Sequence, residues 1–218
     1  KTMKKLCKAL AERVETVEFR PAESSDLITW IARRFRALGK EIDRQTAEYL
    51  IFTCGGLMTG LVPEISKIGA YAKGRVITQK DIDAVADPVL DAKVFDMTNA
   101  ITASKYERAA AILGDLLKEQ TEPILILGAV GKELRKIYTS RIALDSGKDR
   151  LWLMELWGMR SAYPAQRLMQ SAKRFSLSWC RRAVVRCAQT DLAMKSTGAD
   201  GEELLIGLLM ELAVKKGA

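Results

Sequence analysis

The chain contains no histidine. That removes the commonest general base near neutral pH and the commonest nitrogen ligand for metals, so Ser–His–Asp and His-ligated sites are excluded. Cysteine is scarce, and Cys7, Cys54, Cys180 and Cys187 show no CxxC spacing. They read as small buried hydrophobes in a reducing cytosol, with neither a disulfide nor a metal role. No apolar run reaches the roughly 18–20 residues that cross a bilayer, so no membrane partner is expected and a cytoplasmic location is. The basic start, KTMKKLCKALAERVE, lacks the continuous apolar centre of a signal peptide. Strand-like alternation is confined to Thr16–Phe19, closed by Pro21. Acidic residues are missing altogether from Leu156 to Thr190, where seven basic ones stand.

What is present is helical period. The 218 residues are 48% apolar and carry a net charge of +8, which suits a folded chain with an acidic partner. Thr2–Val14 places Leu6, Ala9, Leu10 and Val14 on one side. Glu23–Leu38 reads as a helix capped near Ser24 or Ser25, with Leu27, Ile28, Ile31, Phe35 and Leu38 as its core stripe. Gly39 ends it. Asp43 caps the next helix, with Ala47, Leu50 and Ile51 inward, and Gly55-Gly56 stop it. In GGLMTGLVPEISKIGAY, Leu57, Leu61, Ile65 and Ile68 share one face, and Glu64, Lys67 and Tyr71 form a polar edge. Thr78 with Asp81 caps a short helix before Asp87-Pro88.

A second block starts near Asp91. Val94–Ile101 is a short helix, and Ser104 is expected to cap another through Lys118. Pro123 opens PILILGAVGKELRKIYTSRIAL, whose all-round apolar start implies deep burial. Lys148–Gly158 is looser. Pro164 opens a further helix, Ser176 caps a long one through Lys195, and Glu202–Val214 is the last.

Nothing in these segments is a catalytic, metal or cofactor site. GAVGKELRK (Gly128–Lys136) lacks the Ser or Thr that must follow Gly-Lys in a phosphate loop, and it sits inside a helix. Its glycines are expected to allow close helix–helix approach. Asp81/Asp83 and Glu202/Glu203 stand at helix starts, where the macrodipole favours them. Asp191 and Lys195, four apart in acid-before-base order, are expected to form a structural ion pair. The helix phase puts both near an apolar face of Leu177, Val184 and Ala188, hence partly buried. Trp179, Arg182 and Arg186 fall together at i, i+3, i+7, away from the core stripe. Three readings are open for them: a Trp covered by a neighbouring helix with Arg stacked on it, a subunit contact, or a nucleic-acid backbone contact. Phe175 reads as a staple against Cys180.

The order of segments carries a resemblance. LCKALAERVETVEF resembles the last helix and strand of an AAA+ core. LITWIARRFRALGKEID followed by GGLMTGLVPEISKIGAYA resembles an AAA+ lid, and ITQKDIDAV its last helix. KVFDMTNAI, EPILILGAVGKELRKIY and DLAMKSTG resemble a clamp-loader collar. Together they are similar to the delta-subunit family of the bacterial DNA polymerase III clamp loader. The resemblance implies an all-α chain: residues 1–20 a remnant of the AAA+ core, 21–90 an AAA+ lid bundle, and 91–218 a collar for oligomerisation. It implies a non-catalytic subunit of the polymerase III holoenzyme that needs no cofactor. Its expected partners are the other subunits of a hetero-pentamer, the sliding clamp through a domain upstream of this chain, and DNA. ATP-hydrolysing relatives place an arginine where Thr59 stands here. The alternative is a free-standing helical nucleic-acid-binding module using Leu156–Thr190.

Overall fold

The structure is a computed structural model that describes residues 22–159 and 162–214, together with residues 8, 10 and 14. The expected Thr16–Phe19 strand, Cys7, Arg160 and nearly all of the expected Thr2–Val14 helix lie outside the described residues. The described residues form an all-α fold with two hydrophobic cores.

The first core is built from four helices. Helix α1 (Ser24–Ala37) buries Leu27, Ile31 and Phe35 at i, i+4, i+8. Its N-cap is Glu23, whose side chain makes no capping bond, so neither expected serine takes that place. Leu38 lies outside the helix and half-exposed, because Gly39 reverses the chain at φ +71°. Helix α2 (Arg44–Cys54) is capped by Asp43, whose Oδ1 accepts from Thr46 N at 2.8 Å. Gly55, at φ +84°, turns the chain into α3 (Met58–Tyr71). Leu61, Ile65 and Ile68 of α3 are buried, but Leu57 is 68% exposed. It is the extended N-cap residue, so its side chain never joins the helical stripe. Helix α4 (Gln79–Val85) starts with the full Thr78–Asp81 capping box. An isolated parallel bridge between Glu41 and Val76, and Lys40 Nζ donating to Gly74 O at 2.8 Å, tie the α1–α2 loop to the α3–α4 loop.

The second core is larger. It contains α5 (Leu90–Thr102), α6 (Tyr106–Lys118), α7 (Pro123–Asp145), α8 (Arg150–Trp157), α9 (Ala162–Ala172), α10 (Leu177–Ser196) and α11 (Gly201–Val214). Helix α7 is central, touching α5, α8, α9, α10 and α11. That explains its apolar start: Ile126, Leu127, Val130 and Leu134 all point into protein. Helix α6 begins one residue later than the sequence suggested. Ser104 sits at φ +58° and Lys105 takes the N-cap place without a side-chain capping bond. The stretch expected to be loose is the helix α8, capped by Asp149 and closed by Gly158 at φ +59°. A β-carbon on Gly131 would lie 3.0 Å from Cys187 Sγ, so α7 and α10 do approach closely there. Gly128 faces open space and plays no such part.

The two cores meet through rings. Phe52 of α2 packs edge-on against Phe95 of α5, centroids 5.0 Å apart, and at a tilt of 59° against Tyr163 of α9 at 5.7 Å. Tyr49 adds a second edge contact to Tyr163 at 5.8 Å. Val89 N donates to Thr53 O at 2.8 Å beside this cluster.

Candidate interaction surface

Helix α10 carries most of the residues that the sequence pointed to. Ser176 caps it, with Oγ accepting from Trp179 N at 3.1 Å. The buried face of α10 is Trp179, Cys180, Ala183, Cys187 and Thr190. Leu177 and Ala188 are exposed. The helix is therefore rotated from the phase its sequence suggested, and two expectations change with it.

The first concerns Trp179. It is 4% exposed and stacked on Phe175, ring centroids 4.1 Å apart and 20° from parallel. Trp179, Arg182 and Arg186 do lie together, lining one small cleft with Ala183. The face is not an outward one, because helix α11 closes over it with Glu211 and Leu212. The ring that covers Trp179 is Phe175, in place of a stacked arginine. Arg182 is exposed. The Arg186 guanidinium holds Glu211 and donates from Nη1 to Gln189 Oε1 at 2.7 Å.

The second concerns the ion pair. Lys195 Nζ lies 2.7 Å from Asp191 Oδ2, as the spacing predicts. The side chains are 62% and 43% exposed, so the pair is a surface one. Such a pair contributes about 0.3–0.5 kcal/mol at most.

The polar residues of α3 are also placed differently. Glu64 is buried, accepts from Asp87 N at 3.1 Å, and lies 2.8 Å from Lys67 Nζ. Lys67 reaches Asp87 as well, at 2.7 Å. This network fixes the loop after α4 onto α3. Thr59 stands exposed at the opposite, N-terminal end of α3, next to exposed Met58 and Val62.

Chemical groups are held inert. Burial pushes the Cys54 thiol up to about 12 and the Cys180 and Cys187 thiols up to about 11, so none is a thiolate near neutral pH. No group of three or more His, Cys, Asp or Glu among the described residues could hold a metal ion. No single helix among them is long and apolar enough to cross a membrane. Glu133 is a residue that its sequence context does not single out. It is 5% exposed, and burial raises its carboxyl to about 7 against the pull of Lys136, whose Nζ lies 3.6 Å away. Its Oε1 has no hydrogen-bond partner among the described residues.

Helices α10 and α11 expose another kind of side chain. Leu192 is 65% exposed and Met210 64%, with Val185 and Ile206 half-exposed. Val185 and Leu192 share a stripe of α10, seven residues apart. Ile206 and Met210 share one of α11, four apart. Uncovered apolar side chains on two adjoining helices suit a protein contact. Periodicity alone hid them, because the same residues read equally well as core.

Comparison with known proteins follows the second core. Residues 91–212 match the sequence family described as DNA polymerase III delta subunit, C-terminal domain. The chain is 24% identical over 214 residues to the DNA polymerase III subunit delta of Bacillus subtilis, covering 98% of this chain and 61% of the relative. It is 23% identical over 189 residues to DNA polymerase III subunit delta of Escherichia coli, covering 86% of this chain and 54% of that protein. Among solved structures, the Bacillus subtilis DNA clamp loader delta protein superposes with a TM-score of 0.70 at 23% identity, over 96% of this chain and 62% of that one. The chain thus spans between 54% and 61% of the length of these two curated relatives.

Proposed function

Because the chain belongs to the DNA polymerase III delta subunit family, we propose that it serves as a non-catalytic subunit of the clamp loader, assembling with other subunits to support sliding-clamp loading on DNA. The observation that carries this reading is the family match over 91–212, which falls on the second core. In this reading 21–90 is the AAA+ lid and 91–218 the collar, and the two separate cores support that division. The sliding clamp is held by a domain upstream of residue 1, and the work is done in the cytoplasm. Exposed Thr59, in place of a nucleotide-touching arginine, supports a lid kept for structure. Arg182 and the apolar pairs of α10 and α11 are the residues proposed to meet a neighbouring subunit.

The alternative, a free-standing nucleic-acid module built on Trp179, Arg182 and Arg186, loses its aromatic to the core and one arginine to Glu211. Size-exclusion chromatography of this chain with the ATPase and delta-prime subunits at low salt tests the proposal. Co-migration in one peak is expected. A folded chain that elutes alone would count against assembly through these residues.

A further inference from the structure

A cleft of about 390 Å³ lies where α5, the start of α6 and the end of α9 converge. Its rim carries Lys105, Arg108, Arg167 and Arg174, against one carboxylate, Asp96. Four cations less one anion leave +3 around one small volume. Lys105, Arg108 and Arg174 have no ion-pair partner among the described residues, whereas Lys93 nearby on α5 is held by Glu119 at 2.6 Å. Arg167 is held in place: its guanidinium lies over the Phe95 ring at 5.3 Å, and Nη1 donates to Tyr163 Oη at 3.3 Å. A cation already fixed loses little entropy when it binds an anion.

Two further features supply donors. Ser171 Oγ donates to Asn99 Oδ1 at 2.8 Å, which leaves the Asn99 amide hydrogens as donors at the cleft wall. Helix α6 starts with a lysine as N-cap and no side-chain capping bond. Its first amide bonded to the preceding turn is that of Ala109, on Lys105 O at 3.1 Å. The amides before it sit at the positive end of a 13-residue helix beside Arg108. Glu107, the acid of that turn, does not line the cleft.

We propose that this cleft is a phosphate-binding site, formed by Arg108, Arg167 and Arg174 with Lys105 and the uncapped start of α6. Planar guanidinium forks match phosphate oxygens two at a time, and several of them around one concavity suit a multiply charged phosphate better than a carboxylate. The phosphate is that of a nucleic-acid strand or of a free polyphosphate. Asp96 faces Arg108 and Arg167 and competes with the ligand for them.

The test uses the whole chain, a fluorescein-labelled oligothymidylate read by anisotropy, and tripolyphosphate read by calorimetry. Arg108→Glu/Arg174→Glu is expected to weaken binding about tenfold or more and to flatten the salt slope by about 0.7 for each phosphate no longer neutralised. The same charge change on α1, Arg33→Glu/Arg36→Glu, is expected to move affinity less than about threefold, and Asp96→Asn to tighten it about threefold. Circular dichroism checks that each variant keeps its helices. Strand binding displaced by tripolyphosphate identifies the nucleic-acid source. Tripolyphosphate binding abolished in the α6/α9 variant, with no strand binding, identifies the free source. Equal losses in both double variants, or no binding of either probe by the unaltered chain, overturns the site.

Discussion

Single residues decide where this chain stores its polarity. Glu133 is the clearest case, since the folded protein raises its carboxyl from an ordinary 4.5 to about 7. Between those values the native state holds more protons than the unfolded chain, so stability falls as pH rises through that window. The groups acting on it are Lys136 and Lys132, which oppose the shift, and Asp91, which adds to it. Glu133→Gln should therefore stabilise the protein by up to about 3 kcal/mol above pH 7 and change little near pH 4. Urea melts at both pH values check this; equal effects at the two would contradict it. Trp179→Ala should cost about 3–5 kcal/mol by leaving a cavity beside Phe175, whereas Arg182→Ala should stay within about 0.5 kcal/mol. Denaturant midpoints separate the two. Residues of this kind were the least legible in the sequence. Glu64 and Glu133 look like surface acids by type, and only the helices packed around them make them buried.

Among the elements, caps and stops were legible because their chemistry is local. Asp43, Thr78 and Ser176 accept from the amides three residues on, as their types and positions suggest. Ser104 failed as a cap because the chain turns left-handed there, which no side chain announces. Helix phase was legible where one stripe dominates, as in α1, and not in α10. There small residues and arginines surround the helix almost evenly, and the position of α11 decides which side is covered. The two glycines of α7 give a direct comparison. Gly128→Ala fills open space in a helix interior and should stabilise by about 1 kcal/mol. Gly131→Ala gains the same propensity but sets a methyl 3.0 Å from Cys187 Sγ, so it should fall short of Gly128→Ala by about 1 kcal/mol or more. Parallel chemical melts of the two variants read the difference.

At the scale of the molecule, the all-α architecture and its family were legible from the order of many weak segments. The partner surface was not, since exposed Leu192 and Met210 differ from core residues only in what lies over them. Leu192→Glu/Met210→Glu should leave the melting temperature within about 2 °C while abolishing co-migration with clamp-loader subunits on sizing. Retained co-migration would move the contact elsewhere. The meeting of Phe52 with Phe95 and Tyr163 has a mechanical consequence. Ring contacts of this kind forfeit about a quarter to a half of their attraction once a gap of about 0.5–1 Å opens between them. Two bundles joined this way have few intermediate postures: they stay seated or come apart. A push on α3 is then delivered through α2 to α5 and α9 with little slack, as a lever delivers torque, and anything that grips one bundle also aims the other.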